Sequence, residues 1–159
     1  MADVRVELAR PDAAEEIAAL LRAAYADHAA AGLNFSAATS TAANVRGRIA
    51  SGQVHVAREG GRLIGTYNLR VKTDDIGDAG YVNSLAIDPA LRHSGLGRRL
   101  LEHAEAEASR RSLTRMKLDT AKPLTDLIQW YERRGYRMVG ETHWDGKTYD
   151  SVIMEKELR

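Results

Sequence analysis

Between Tyr81 and Leu101 the chain reads Tyr-Val-Asn-Ser-Leu-Ala-Ile-Asp-Pro-Ala-Leu-Arg-His-Ser-Gly-Leu-Gly-Arg-Arg-Leu-Leu, and this run constrains the fold more than any other. Tyr81 to Ile87 is an apolar strand that must end at Asp88-Pro89, because proline cannot continue a strand ladder. A short loop carries Arg92, His93, Ser94, Gly95, Leu96 and Gly97. A helix opens directly after it, with Leu96, Leu100, Ala104 and Ala108 on one stripe. Strand, glycine loop and helix N-terminus together make an anion site, since free backbone N–H groups converge where the helix dipole is positive. Gly95 and Gly97 let the backbone come close to a phosphate, while Arg92, Arg98 and Arg99 add fixed positive charge. A pyrophosphate is the expected guest.

The loop is neither of the two common nucleotide loops. It lacks Gly-x-x-x-x-Gly-Lys-Ser/Thr, which argues against a nucleotide triphosphatase, and it is not Gly-x-Gly-x-x-Gly after a first strand. The run Val82-x-x-Leu85-Ala86-Ile87-x-Pro89-x-x-Arg92-x-x-Gly95-x-Gly97 instead resembles the coenzyme A loop of the GNAT superfamily of N-acetyltransferases at each signature position. A second stretch, Leu127-Ile-Gln-Trp-Tyr131-Glu-Arg-Arg-Gly135-Tyr136, is similar to that family's C-terminal signature, a tyrosine four residues before Gly-Phe or Gly-Tyr.

Composition is compatible with this. The chain has 159 residues, enough for one domain with a real core, here taken as residues 1–159. Its 23 basic and 22 acidic residues nearly cancel, so bulk electrostatics point to no nucleic-acid partner. The absence of cysteine rules out disulfides, thiolate metal sites and a cysteine nucleophile, and no metal is expected. No apolar run approaches the roughly 18 to 20 residues that cross a bilayer, and the N-terminus lacks the apolar stretch of a signal peptide. A soluble, cytoplasmic protein with no membrane partner is the expectation.

Along the chain, Val4, Val6 and Leu8 alternate as a first strand. A helix follows Pro11, with Asp12 as N-cap, Glu15 as its capping-box partner, and Ile17, Leu20, Leu21, Ala24 and His28 on its apolar stripe. A second helix runs from about Thr41 to Ser51. Gln53 to Arg58 and Arg62 to Lys72 are strands around the hairpin signal Glu59-Gly60-Gly61, and a polar loop, Asp74 to Asp78, leads to the fourth strand. After the loop helix come a strand from Arg115 to Thr120 and a helix from Pro123 that ends at Gly135. Tyr136 to Trp144 and Lys147 to Leu158 read as strands closed by a type I′ turn at Asp145-Gly146. The order is β-α-α-β-β-β-α-β-α-β-β. It predicts an α/β (α+β) fold with a mixed, mostly antiparallel sheet of about seven strands flanked by four helices. The GNAT fold has this same order.

The resemblance implies a chemistry. In the family the fourth and fifth strands splay, and the pantetheine arm of acetyl-CoA lies between them against the backbone of the fourth, here Leu85, Ala86 and Ile87. The diphosphate is then expected on the amides of His93, Ser94, Gly95, Leu96, Gly97 and Arg98, with Arg92 at the loop entrance. An amine attacks the thioester carbonyl, the oxyanion collapses against a fourth-strand amide such as that of Leu85 or Ile87, and coenzyme A leaves as a thiolate. A phenol near pKa 10 can protonate a thiolate near 8.5, so Tyr131 is the candidate general acid; packing beside Leu127 and Ile128 is its other reading.

Two departures matter. Relatives often carry asparagine seven residues before this tyrosine, where this chain has Leu124, with Thr120 as the nearest polar substitute. They also often carry a glutamate base near Tyr81 to Asn83, and this strand has no carboxylate. The base is therefore open: water polarised by Tyr81, Asn83 or Ser84, or a more distant His28, His55 or His143. Asn34, Phe35 and Asn83 are candidate acceptor contacts, with His143 and Trp144 further lining candidates. The leading expectation is an acetyl-CoA-dependent N-acetyltransferase acting directly on a small-molecule or peptide amine. The competing one is a non-catalytic acyl-CoA sensor or interaction module. GNAT relatives are commonly dimers, which adds a homodimer to the expected assemblies.

Overall fold

The computed structural model describes residues 3–159. Its strands are β1 (Val4–Leu8), β2 (Val54–Glu59), β3 (Arg62–Thr73), β4 (Asp78–Ile87), β5 (Arg115–Ala121), β6 (Arg137–Thr142) and β7 (Ser151–Glu157). Its helices are α1 (Ala14–Ala30), α2 (Ala42–Ala50), α3 (Leu96–Arg110) and α4 (Thr125–Glu132). The seven strands form one sheet in the order β1-β2-β3-β4-β5-β7-β6, antiparallel throughout except where β4 meets β5. The predicted order of elements and the mixed sheet are both present.

Local chemistry accounts for most of the boundaries. Gly60 and Gly61 turn β2 into β3 with φ of +57° and +85°, values that only glycine reaches without strain. Thr41 caps α2 reciprocally: its hydroxyl accepts from the Asn44 amide at 3.3 Å, and the Asn44 side chain accepts from the Thr41 amide at 3.1 Å. Three expectations fail. Asp12 does not cap α1, because Pro11–Ala13 form a 3-10 turn that leads into the helix with no side-chain cap. The last two strands are also shorter than read, and Asp145-Gly146 does not close a tight hairpin. Residues 143–150 form a longer loop instead, tied by side chains described below. The fourth strand begins at Asp78 rather than Tyr81, since Asp78 pairs with Thr73.

Two apolar layers flank the sheet. On one face α3 buries Leu96, Leu100, Leu101, Ala104 and Ala108 against Tyr67, Leu69, Val82 and Met116. On the other, α1 and α2 bury Ile17, Leu21, Val45 and Ile49 against Val54, Val56 and Ala86. Among the described residues no helix is long and apolar enough to cross a membrane.

β4 changes face along its length. Asn68 faces Asn83 and Thr66 faces Ala86, so three steps on β4 oppose two on β3. The extra residue falls at Ser84 or Leu85, and Ser84 adopts φ of +50°, a strained value for a non-glycine residue. Before this bulge Val82 packs towards α3; after it Leu85 and Ile87 do, and Ala86 turns to α1. The Tyr25 hydroxyl of α1 donates to the Leu85 carbonyl at 3.1 Å and anchors the distorted segment.

Close packing where β4 meets α3 depends on Gly80. A Cβ there would lie 3.1 Å from Met116 Sδ and 3.2 Å from Ala108 Cβ. Gly80→Ala is therefore expected to destabilise the fold by about 1–3 kcal/mol through overpacking, measured by urea unfolding. The same substitution at exposed Gly47, whose Cβ would meet nothing within 4 Å, should not destabilise.

Candidate functional site

β4 and β5 pair in parallel at only two positions, Gly80 with Met116 and Tyr81 with Lys117. Beyond Tyr81 the strands part. The opening is the mouth of a cleft of about 850 Å³, lined along β4 from Tyr81 to Ile87 and along β5 by Leu118, Asp119 and Thr120. An unpaired strand edge offers amides and carbonyls to any extended ligand that can complete the ladder.

At one end lies the glycine loop. Gly95 caps α3 with φ of +88°, and the first i→i−4 bond of the helix runs from the Arg99 amide to the Gly95 carbonyl at 3.1 Å. The Leu96, Gly97 and Arg98 amides precede that bond and so lack intrahelical acceptors. The Ser94 hydroxyl accepts from Leu96 N at 3.3 Å, which leaves Gly97 and Arg98 as the more open donors. Arg92, His93 and Gly97 line the cleft, whereas Ser94, Gly95, Arg98 and the fully buried Leu96 do not. The charge is more local than the sequence implied. Arg98 bonds Glu102 at 2.8 Å and Arg99 donates to the Val4 carbonyl at 3.1 Å, so Arg92 is the arginine of this loop that borders the cleft; it also pairs with Asp27 at 3.0 Å.

The remaining candidates divide. Tyr131 lines the cleft, together with Leu127 and Trp130 of α4. Leu85, Ala86, Ile87, Phe35 and Asn83 also line the cleft. Asn83 is oriented by Asn68, whose amide donates to its Oδ1 at 3.1 Å. Asn34 does not reach the cleft. Its side chain donates to the Gly146 carbonyl at 2.8 Å and accepts from the Thr148 amide at 2.9 Å, fastening the α1–α2 connection to the β6–β7 loop. Of the three named histidines only His28 borders the cleft, in an aromatic group with Tyr25 and Phe35. His55 stacks on Tyr67 at 4.7 Å between centroids, on the α3 side, and His143 pairs with Asp150 in the outer loop. Burial and the nearby Arg92 lower the His28 pKa, which favours a neutral ring at pH 7.

Several lining residues went unread in the sequence: Tyr25, Arg70, Lys72, Asp119 and Tyr149. Asp119 accepts from the Tyr81 hydroxyl and, at 2.6 Å, from Trp144 Nε1, which pins the β6–β7 loop over the sheet. A signal for it existed, because aspartate is depleted inside strands and this one lies between Leu118 and Thr120.

Comparison with known proteins bears on this geometry. The Acetyltransferase (GNAT) family profile matches residues 16–136. The chain is 32% identical over 160 residues to S-(2-succino)cysteine N-acetyltransferase of Bacillus subtilis, covering 98% of this chain and 96% of that one. Among solved structures, the PaiA N-acetyltransferase of Thermoplasma acidophilum in complex with coenzyme A superposes with a TM-score of 0.76 at 16% identity, covering 98% of this chain and 99% of that one. A GNAT family acetyltransferase from Elizabethkingia anophelis with acetyl-CoA bound gives 0.62 at 17% identity, covering 74% and 84%.

All 6 tyrosines of the chain have raised pKa values, and burial is the first cause for each. Tyr131 is pushed up to about 12, by burial and then by the charge of Asp119. A raised folded-state pKa leaves stability intact below the unfolded value near 10, and stability is lost as pH climbs towards the folded value. Absorbance at 295 nm at pH 10.5 should therefore show most phenols protonated in the native protein and most ionised in urea. Melting temperature should hold to about pH 10 and fall from there towards 12. Native-state ionisation of most tyrosines near pH 10 would contradict the buried placement.

Proposed function

Because the chain belongs to the GNAT acetyltransferase family, we propose that it moves an acetyl group from acetyl-CoA to a primary amine, with Tyr131 as the proton donor to the departing sulfur. The observation that carries this reading is the state of the Tyr131 hydroxyl. Four other tyrosines have committed theirs: Tyr25 to the Leu85 carbonyl, Tyr67 to His103, Tyr81 to Asp119 and Tyr136 to Glu105. Among the described residues the Tyr131 hydroxyl has no hydrogen-bond partner, and the residue lines the same cleft as the parted ends of β4 and β5. Burial pushes its pKa up to about 12, which holds the proton at neutral pH and makes its transfer to a thiolate of pKa about 8.5 more uphill than from a free phenol.

The cleft suits acetyl-CoA along its length. The unpaired edge of β4 matches the amides of an extended pantetheine arm, and the open amides of Gly97 and Arg98, with Arg92 beside them, match a diphosphate. When bound, the donor supplies an activated acetyl group as a thioester. The C–N bond forms as the C–S bond breaks, the amine proton leaves to a base, and the phenol of Tyr131 returns a proton to sulfur before regaining one from solvent. Two proton acceptors line the cleft, neutral His28 and the Asp119 carboxylate, and they answer the missing glutamate of β4. An amine acceptor accords with the name of the Bacillus subtilis relative, an N-acetyltransferase.

Thiol release from acetyl-CoA, measured across a panel of primary amines, tests the activity, and a protein that binds acetyl-CoA but acetylates none would be a sensor instead. Tyr131→Phe should lower kcat about 100-fold while the KM for acetyl-CoA changes by less than about twofold. Unchanged kcat at every pH would remove Tyr131 from the mechanism.

A further inference from the structure

We propose that the amine acceptor carries a carboxylate, seated between Arg70 and Lys72 on the sheet face beside Tyr81. This assignment rests on the amine-transfer reading above and adds the chemical class of the acceptor.

The strand register places the residues. Arg70 pairs with Tyr81 and Tyr81 with Lys117, so these side chains share one face, and Lys72 and Asp119 join it two residues along their strands. Arg70, Lys72, Tyr81 and Asp119 all line the cleft, with Trp144 closing over them.

The cations on this face are treated unequally. Lys117 bonds Asp74 at 2.9 Å and is neutralised. Arg70 and Lys72 have no carboxylate within ion-pair distance among the described residues. Lys72 Nζ instead lies 3.9 Å from the Tyr81 ring centroid and 5.6 Å from that of Trp144, while the Arg70 guanidinium is 5.4 Å from Tyr81. Aromatic faces hold a cation in place without cancelling its charge. Burial and Arg70 both lower the Lys72 pKa, the response of an ammonium lacking a matched anion. Asp119 attracts Lys72 without forming an ion pair with it; its two oxygens each accept one bond, from Tyr81 and Trp144, and keep further acceptor capacity.

Two adjacent cations at the rim of a cleft attract an anion, and a guanidinium presents paired donors to a planar carboxylate. That anion is distinct from the donor's diphosphate. Tyr81 lies six residues up β4 from Ile87, about 20 Å at the rise of a strand, and the glycine loop lies beyond Ile87. Asp119, on the same face, offers the complementary charge to the acceptor's ammonium. Opposite charges side by side are the complement of an amino acid.

The test is a matched acceptor panel with the full chain and acetyl-CoA, each amino acid set against its carboxamide and its decarboxylated amine. The carboxylate form should be preferred about tenfold or more in kcat/KM, and Lys72→Met or Arg70→Gln should bring that preference close to one. The melting shift produced by acetyl-CoA should persist in both variants. Succinate gives a readout that does not depend on turnover: it should raise the melting temperature of the native sequence and not of the Arg70→Gln/Lys72→Met variant. Equal use of carboxylates and carboxamides overturns the carboxylate seat and leaves amine transfer standing. Succinate binding with no amine acetylated supports the seat and overturns amine transfer. Neither turnover preference nor succinate binding overturns the proposal outright.

Discussion

Two residue pairs, Gly80 with Met116 and Tyr81 with Lys117, hold β4 against β5, and the site exists because the ladder goes no further. An ionic clamp fixes the paired end. Arg115 of β5 is buried and bonds Asp74 of the β3–β4 loop through both guanidinium nitrogens, at 2.8 and 2.9 Å, and Glu155 of β7 at 2.7 Å. Lys117 completes it on Asp74, whose carboxyl is held far below the usual carboxylate range by these two cations. A buried charge cluster earns stability only when its members are mutually satisfied, and here the guanidinium also donates to the Gly77 carbonyl at 2.9 Å. The clamp stiffens the closed end of β4 and β5, so the open end can part without unravelling the sheet.

Parting leaves backbone groups of β4 without strand partners, an arrangement that ordinary sheets avoid. The bulge at Ser84 and the Tyr25 bond to the Leu85 carbonyl account for part of that. They turn the strand so that Leu85 and Ile87 still bury against the α3 layer while one carbonyl is met from α1. Strain at one residue and a single cross-layer hydrogen bond thus keep a half-paired strand in register, and the remaining edge is available to a ligand. The same bulge puts Ala86 rather than a larger side chain on the α1 side. Binding room on that face follows from the parity of the strand rather than from any deletion of core.

How much of this was legible in the sequence depended on whether a feature is local. The glycine loop, the Gly60-Gly61 turn, the α3 stripe and the order of elements are written in short-range chemistry, and each has its counterpart in the fold. The β6–β7 connection was misread because Asp145-Gly146 carries a turn signal of its own. The loop is set from outside, by Asn34 on Gly146 and Thr148 and by Asp119 on Trp144. Arg70 and Lys72 were invisible for a related reason, and Asp119 stood out only as an unusual residue inside a strand. Each lies on an ordinary strand, and only the β3–β4–β5 register brings them together. The Ser84 bulge carries no glycine to announce it.

Tyr131 marks the boundary most sharply. The apolar stripe of α4 explains an aromatic there, and burial beside Ile128 is what that stripe alone predicts. Position in the sequence cannot separate a packed ring from a proton donor, because both need the same helix face. Hydroxyl commitment is the observation on which the proposal for Tyr131 rests. A buried phenol ordinarily finds an acceptor, as Tyr25, Tyr67, Tyr81 and Tyr136 do, since leaving the group unmet is costly. Tyr149 shares with Tyr131 an uncommitted hydroxyl on the cleft, but it projects from the outer loop, in ring contact with Phe35 at 4.9 Å. Tyr131 lies on α4 and lines the same cleft as the open edge of β4. Its hydroxyl, without a protein acceptor among the described residues, stays open to a ligand in the cleft, which is the premise of the proposed proton donation.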